Sequence, residues 1–363
     1  MWVPSLCKGD VMVRKRGLRV GKVVAGALAM AMAVAGCGGG EDSETTSSGG
    51  GVTLTMYTDQ HAELIEGLTQ AYTKATGVKF NIQNDATVGQ IEAEGSASKA
   101  DLFLSEDPTP AARLGADGLL APVKASTLAQ VRPGLSSGKG LWVAYAARSR
   151  VLLYNPKLID EADLPATLAD IVDPKYQGKF AWAPSGAFVA TTQYLLETEG
   201  EKATRGFLDG INANGLNEKK NGNVRDTVEA GKHAMGLSNH YYWWVLATES
   251  GGPDALASKI HHFPVEDPGN LVLSSGAGVL KSSKNAEESQ KFLAWLTSKD
   301  GGQDVIANGD PQVSEAQYPV APGVASAVAG DLSEVKSPKF DMDQLADSAE
   351  AQDLLKELGM SSG

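Results

Sequence analysis

Two adjacent tyrosines, Tyr241 and Tyr242, open an aromatic run that continues with Trp243 and Trp244. Aromatic residues make up only 6% of the chain, so four in succession need a physical reason. Core packing does not supply one, because neighbours on a strand face opposite ways and neighbours on a helix lie about 100° apart. We predict a bend between a strand over residues 234–237 and a helix from about Trp243, which would turn both tyrosines into a cleft. A phenolate is a hard, anionic oxygen ligand, so the pair suits ferric iron better than zinc or copper.

A second pattern, Gly134-Leu-Ser-Ser-Gly138, fits the G-x-S-x-G motif of serine hydrolases. That motif requires a strand before the serine and a helix after it. Pro133 precedes the pattern and Lys139-Gly140 follows it, which predicts a turn instead. A hydrolase with Ser136 as nucleophile is therefore kept only as an alternative hypothesis.

Composition excludes several classes of protein. The 363 residues carry a formal net charge of −12, and an acidic chain is a poor partner for nucleic acid. Cys7 and Cys37 are the only cysteines, which excludes a disulfide scaffold, a zinc ribbon and an iron–sulfur cluster.

The sequence of the N-terminal region predicts an export signal. Residues 1–36 hold six basic residues and one acidic residue, and the apolar run from Val23 to Gly36 is too short to span a bilayer. The run ends in Val34-Ala-Gly-Cys37, which resembles the lipobox of bacterial lipoproteins. This resemblance implies that Cys37 becomes the first mature residue and carries lipid. The alternative is a plain secretory signal followed by a chance cysteine.

The chain after this signal differs from the precursor in charge and chemistry. Without residues 1–36 it holds 26 Lys and Arg against 43 Asp and Glu, a net charge of −17. Residues 37–51 include a Gly- and Ser-rich stretch that predicts a flexible tether. With Cys37 lipidated, no free thiol remains, so any metal site must use oxygen and imidazole ligands.

Strands and helices alternate from Val52 onward. The hydrophobic patterns predict strands over 54–57, 78–82, 101–105, 151–154 and 179–183, and helices over 61–76, from Asn285 and over 347–358. Gly77 is predicted to end the first helix, and Glu288 to form a capping box with Asn285. This alternation indicates an α/β fold, and its length favours two lobes around a ligand cleft.

Several segments of this body together resemble the bacterial periplasmic ferric-ion-binding proteins, the substrate-binding components of iron(III) ABC importers. The resemblance extends from about Val52 to Met360 and is carried by Tyr57-Thr-Asp-Gln-His61, Asp101-Leu-Phe-Leu-Ser-Glu106, Arg148-Ser-Arg150, Pro184-Ser-Gly-Ala-Phe188, Asn239-His-Tyr-Tyr-Trp243 and Tyr318-Pro-Val320. It implies the two-lobed periplasmic-binding-protein fold. We assign residues 52–149 plus 271–322 to lobe 1 and 150–270 plus 323–363 to lobe 2, with hinge strands near 150–153 and 271–273.

The resemblance also implies the ligands of the iron. In that family a histidine after the first strand, a glutamate after a later strand and the adjacent tyrosines bind the metal. The matching positions here are His61, Glu106, Tyr241 and Tyr242. The residue before the tyrosines is His240, where some relatives have asparagine; it is interpreted as a support for a ligand rather than as an additional donor.

Four protein ligands leave two octahedral positions, which the resemblance assigns to water or to a synergistic anion, phosphate or carbonate. The residues expected to hold the anion are Ser185, Gly186, Ala187, Asn221, Asn239 and Arg148. The first three could open a helix whose backbone N–H groups bind an oxyanion.

The predicted function is therefore capture of ferric iron and its delivery to the permease of an ABC importer, without covalent chemistry. The protein is expected to be a monomer, lipid-anchored on the outer face of the cytoplasmic membrane. One alternative keeps the fold but changes the ligand to a phosphonate, a sulfate or a thiamine-type solute. The other is the serine hydrolase described above.

Overall fold

A continuous mixed sheet organises residues 51–361, the part of the chain that the computed structural model describes. The predicted signal segment 1–36, Cys37 and the tether up to residue 50 lie outside the described residues. No helix within 51–361 is long and apolar enough to cross a membrane.

The secondary structure alternates as the sequence predicts. The strands are β1 (Thr53–Thr58), β2 (Lys79–Gln83), β3 (Leu102–Leu104), β4 (Leu120–Ala121), β5 (Val143–Tyr154), β6 (Phe180–Trp182), β7 (Gly215–Asn217), β8 (Met235–Asn239), β9 (Lys259–His261), β10 (Val272–Leu280) and β11 (Tyr318–Pro319). The helices are α1 (Ala62–Thr76), α2 (Val88–Glu94), α3 (Pro108–Ala116), α4 (Ala125–Leu128), α5 (Gly186–Glu199), α6 (Glu201–Asn214), α7 (Asn221–Glu229), α8 (His240–Glu249), α9 (Ala286–Leu296), α10 (Gly302–Asn308), α11 (Pro311–Ser314) and α12 (Ala349–Glu357).

Strand β5 joins the two halves of the sheet, whose main order is β2-β1-β3-β10-β5-β8-β6-β7. Its first part pairs antiparallel with β10, up to the partners Ser149 and Val272. Its second part pairs antiparallel with β8, beginning with Arg150 and Asn239. All twelve residues of β5 are buried. The α/β fold predicted from the sequence is confirmed, and one strand carries the chain from one half to the other.

Each half of the sheet has its own apolar core. Val143 and Tyr145 of β5 belong to the first core, and Leu152 and Tyr154 belong to the second. The C-terminal region divides between them: Leu332, Met342 and Leu345 pack in the first core, whereas Ala351, Leu354 and Leu355 of α12 pack in the second. This packing favours placing residues 323–346 in lobe 1, in contrast to our assignment of all of 323–363 to lobe 2. The other lobe boundaries stay a prediction.

The ends of two helices test the predicted capping signals. Gly77 ends α1 as expected, with φ of +79° and its N–H donating to the Thr73 carbonyl at 2.8 Å. The capping box at α9 is wrong. The Asn285 side chain donates to Asp101 instead, and Glu288 accepts from the Tyr72 hydroxyl at 2.9 Å. Both groups are taken by tertiary partners that no local pattern reveals.

Close packing behind β8 predicts a stability effect at Gly236. A Cβ built there would lie 2.5 Å from Cγ1 of Val224 and 3.2 Å from the Ala181 carbonyl oxygen. Gly236→Ala should therefore lower the free energy of unfolding by about 1–3 kcal/mol, measured by urea denaturation. The control is Gly206→Ala, at an exposed position of helix α6 where a Cβ meets nothing within 4 Å. This variant should raise the free energy of unfolding by about 0.5–1 kcal/mol. Equal stability of the two variants would contradict this packing.

Candidate metal centre

The two tyrosines occupy the first turn of α8, immediately after β8. Asn239 is the last residue of β8 and the N-cap of the helix, which begins at His240. Our prediction of a helix from about Trp243 was therefore three residues late, although the strand-to-helix bend is present. The rings of Tyr241 and Tyr242 stack with centroids 4.2 Å apart.

The two tryptophans are directed elsewhere. The indole N–H of Trp243 donates to the Ser258 hydroxyl at 3.1 Å. Trp243 belongs to a small apolar cluster with Val151 and Leu153, and Trp244 packs against that cluster. One helical turn thus separates the aromatic run into a stacked phenol pair and an apolar pair. This division resolves the packing problem that four consecutive aromatics pose.

His61 and Glu106 reach the phenols from the other half of the sheet. The parallel strands β1 and β3 pair through Thr58 and Leu104, so the loops after both strands lie at the same sheet edge. His61 follows β1 and is the N-cap of α1, while Glu106 follows β3. The Glu106 N–H donates to Oδ1 of Asp59 at 2.9 Å, which joins the two loops.

The four predicted ligands lie together. The Tyr241 hydroxyl donates to Oε1 of Glu106 at 3.4 Å, and Oε2 of Glu106 lies 3.8 Å from Nε2 of His61. Tyr241 is 4% exposed and Glu106 is 26% exposed. His61 is the most accessible of the three, at 41%. The arrangement brings together two phenols, one carboxylate and one imidazole, with the imidazole more exposed than Glu106 or Tyr241.

Burial keeps the phenols protonated without a cation. It raises the pKa of Tyr241 well above its usual value, and the neighbouring Tyr242 and Glu106 add to the effect. Burial also raises the pKa of Tyr242. Ionising both hydroxyls therefore requires a strongly charged cation next to them.

The phenols distinguish this cluster from a site made of the commoner ligand types. Among residues 51–361 there is no group of three or more His, Cys, Asp or Glu side chains that could hold a metal ion. The four predicted ligands add the phenols of Tyr241 and Tyr242 to one carboxylate and one imidazole. Such a set is rich in hard oxygen and suits a trivalent cation.

Glu315 supports His61 and was not found by sequence reasoning. Its Oε1 contacts Nδ1 of His61, and this hydrogen bond raises the pKa of His61 to about 9. The contact leaves Nε2 facing Glu106. Glu315 and Ala316 adopt left-handed backbone conformations, with φ of +52° and +49°, which are uncommon for residues other than glycine. No motif or spacing in the sequence indicated this residue, which lies 254 positions from its partner.

His240 is fully buried, and both of its ring nitrogens bond to backbone groups. Nδ1 accepts from the Ser149 N–H at 3.2 Å, so Nε2 carries the proton, which it donates to the Ala316 carbonyl at 3.0 Å. The ring also stacks on Tyr318. No lone pair is left for a metal in this arrangement, and the histidine instead ties α8 to β5 and to the turn that carries Glu315.

The residues predicted to hold an anion come from the starts of α5 and α7, the end of β8 and the middle of β5. Ser185 is the N-cap of α5 and accepts from the Phe188 N–H at 3.3 Å. Asn221 begins α7, and its buried Oδ1 has no hydrogen-bond partner among the described residues. Asn239 accepts from Arg150 through Oδ1 at 2.8 Å, which leaves its amide NH₂ free to donate.

Arg148 differs from the expectation. Its side chain is 2% exposed and pairs with Asp107, and it also donates to the Glu106 carbonyl. The guanidinium is therefore already engaged by protein oxygens rather than turned to an outside anion.

Ser136 lies in a loop, as the sequence predicted. Its hydroxyl accepts from the Ala144 N–H at 3.0 Å, and no helix follows it directly. The strand–turn–helix context of a hydrolase nucleophile is absent at this position.

Known proteins resemble this chain over most of its length. The model of the family described as "Bacterial extracellular solute-binding protein" matches residues 58–303. An Fe(3+)-binding periplasmic protein of Serratia marcescens is 37% identical, over 85% of this chain and 90% of its own length. A major ferric iron-binding protein of Neisseria meningitidis is 34% identical, over 85% of this chain and 93% of its own.

Solved structures show the same two-lobed α/β fold. Iron-bound HitA from Pseudomonas aeruginosa superposes with a TM-score of 0.76 and 37% identity, over 85% of this chain and 99% of that one. A Trichodesmium protein (IdiA, FutA) in complex with iron and citrate superposes with a TM-score of 0.74 and 27% identity, over 85% of this chain and all of that one.

The buried His240 predicts a pH dependence of stability in the metal-free protein. Burial lowers the pKa of His240 to about 3, whereas an unfolded histidine titrates near 6.5. Between these values the unfolded chain binds the extra proton, so this group destabilises the fold as the pH is lowered. The free energy of unfolding of wild type minus that of His240→Asn should therefore shrink from about pH 7 to about pH 4. A constant difference across this range would contradict the assignment.

Proposed function

Because the chain belongs to the bacterial extracellular solute-binding proteins, within the group of ferric-ion-binding periplasmic proteins, we propose that it captures ferric iron with Tyr241, Tyr242, Glu106 and His61. The observation that carries the proposal is the convergence of these four side chains. Two come from the edge of one half of the sheet and two from the first helical turn after the other half.

The charges of the donor set match the cation. Two phenolates and one carboxylate supply three negative charges, which balance Fe³⁺, and neutral His61 adds a donor without charge. Loading therefore releases the protons of Tyr241 and Tyr242, and also the proton that His61 carries in the metal-free protein, where the hydrogen bond with Glu315 raises its pKa to about 9. Four protein donors leave two octahedral positions for water or a small anion. Phosphate or carbonate at these positions would lie near Ser185, Gly186, Ala187, Asn221, Asn239 and Arg148.

The hinge follows from the path of β5. Lobe closure around the metal would bend this strand near residues 150–153 and the neighbouring segment near 271–273, where the pairing of β5 changes from β10 to β8. Residues 52–149 plus 271–322, with 323–346 added by their packing, would move against 150–270 and the C-terminal helix. Closure excludes water from the buried phenolates and strengthens their interaction with the cation.

The cargo would pass to the permease of an ABC importer, and the protein performs no covalent chemistry in this role. Relatives are named as periplasmic, which supports an extracytoplasmic location. We propose that residues 1–36 are removed, that Cys37 carries lipid on the outer face of the cytoplasmic membrane and that the protein is a monomer.

Tyr241→Phe tests the site. Adding ferric iron to the metal-free wild type should produce a visible tyrosinate-to-iron charge-transfer band. The variant should show a weaker and shifted band, because only the Tyr242 phenolate remains, and should bind iron on the order of 100-fold more weakly, since even supporting residues of metal ligands are worth about 10–100-fold. Absorption titration against a competing chelator gives both quantities.

Tyr194→Phe is the matched control, because this ring lies on α5 and packs against Phe340 away from the ligands. It should behave as wild type. An unchanged band and affinity in Tyr241→Phe would disprove the ligand assignment. Tight binding of a phosphonate or sulfate by metal-free protein, indifferent to both tyrosines, would instead favour the alternative solute-binding function.

Cys37→Ser tests the anchor. The variant should fail to incorporate labelled fatty acid and should move from the membrane fraction to the soluble extracytoplasmic fraction, because the lipid supplies the membrane affinity. Iron binding by the purified variant should equal that of wild type. Retention of label or of membrane association in the variant would refute lipidation at Cys37.

A further inference from the structure

Asp107 brings a second carboxylate to the metal centre, directly after the proposed ligand Glu106. It pairs with Nη2 of Arg148, and the same guanidinium donates to the Glu106 carbonyl through Nη1. Arg148 is 2% exposed, so its charge is matched inside the protein. Removing one member of such a pair is costly, because it leaves a buried charge uncompensated.

The same carboxylate lies against the helix start where an outside anion was expected. A Cβ built on Gly186 would be 3.0 Å from Oδ2 of Asp107, so the carboxylate lies close to this residue and leaves no room for a larger side chain there. Gly186 begins the 14-residue helix α5, and the N–H groups of its first turn have no intrahelical acceptor. The N-terminal end of a helix also favours negative charge.

Asp107 thus combines the two features that a bound phosphate or carbonate would need, namely a cationic partner and a helix N-terminus. The carboxylate comes from the loop after β3 in the first half of the sheet, whereas α5 follows β6 in the second half. The Asp107 carboxylate therefore lies between residues of both halves of the sheet, Arg148 in one and Gly186 in the other.

We propose that the Asp107 carboxylate serves as the built-in anion of the iron site, in place of an exogenous phosphate or carbonate. The inference rests on the proposed iron-binding function and narrows it. Ferric iron then binds to the four protein ligands with water at the open positions. Arg148 then needs no added anion, and the carboxylate already places negative charge beside the start of α5.

The test compares wild type with Asp107→Asn, which keeps the side-chain shape and removes its charge. Ferrous chloride is oxidised by CO₂-free oxygen in CO₂-free Bis-Tris chloride buffer, with no further addition, with phosphate or with bicarbonate. The position of the tyrosinate band and the iron affinity are measured in each buffer. Wild type should show the same band and an affinity that changes less than about twofold among the three buffers.

Asp107→Asn should become dependent on the anion. In chloride buffer its iron affinity should fall by on the order of tenfold, because Arg148 is left unpaired. Phosphate or bicarbonate should restore most of the loss, and the band position should then depend on which anion is present. The control, Asp117→Asn, removes a charge at the C-terminal end of the same helix, α3, and should match wild type.

Two results would overturn the proposal: a wild-type affinity that needs phosphate or bicarbonate, or an Asp107→Asn variant that is as indifferent to anions as wild type. The first comparison needs no variant, so it decides the matter even if Asp107→Asn does not fold. Failure of the proposed function looks different, because wild type would then give no tyrosinate band in any buffer.

Discussion

The proposed metal centre depends on the cost of burying phenolate charge. Tyr241 and Tyr242 stack on each other, and Tyr241 also meets Glu106, so ionising these groups without a cation would place like charges together in a low-dielectric environment. Burial raises the pKa of both phenols accordingly. A trivalent cation reverses this balance, since its charge matches the two phenolates and the carboxylate. Metals that prefer thiolate or imidazole gain much less from these donors.

The rest of the fold serves to bring these groups together. Parallel pairing of β1 with β3 sets His61 and Glu106 at one sheet edge, and β8 delivers the tyrosines directly into the first turn of α8. Strand β5 joins the two halves, and His240 fixes the start of α8 to Ser149 on that strand. The ligands therefore come from two structural units that share a strand, which allows binding to be coupled to closure.

The sequence predicted the parts of this arrangement that depend on local pattern. Short apolar runs predicted the positions of β1 and β3, alternating apolar residues predicted β2, and Gly77 predicted the end of α1. The tyrosine pair was noticed because a run of four aromatic residues is unusual in a chain with only 6% aromatic residues. The resemblance to ferric-ion-binding proteins then indicated His61 and Glu106, neither of which is distinctive alone.

The partners of these residues could not be predicted in the same way. Glu315 contacts His61 across 254 positions, and Asp107 meets Arg148 and lies close to Gly186 only after the sheet has formed. Local pattern did not indicate that Arg148 would pair with the carboxylate of Asp107, and the predicted contact of Arg148 with an outside anion stays a prediction. The early start of α8 was hidden for a related reason, since His240, its first residue, accepts from the Ser149 N–H and donates to the Ala316 carbonyl, both distant in the sequence.

We propose that one ferric ion binds between the two halves of the sheet. An anomalous difference map, recorded at the iron absorption edge on crystals of the loaded protein, tests this binding most directly. We expect one dominant peak within bonding distance of the Tyr241 and Tyr242 oxygens, a Glu106 oxygen and Nε2 of His61. A peak elsewhere, or no peak in protein that contains iron in solution, would contradict it.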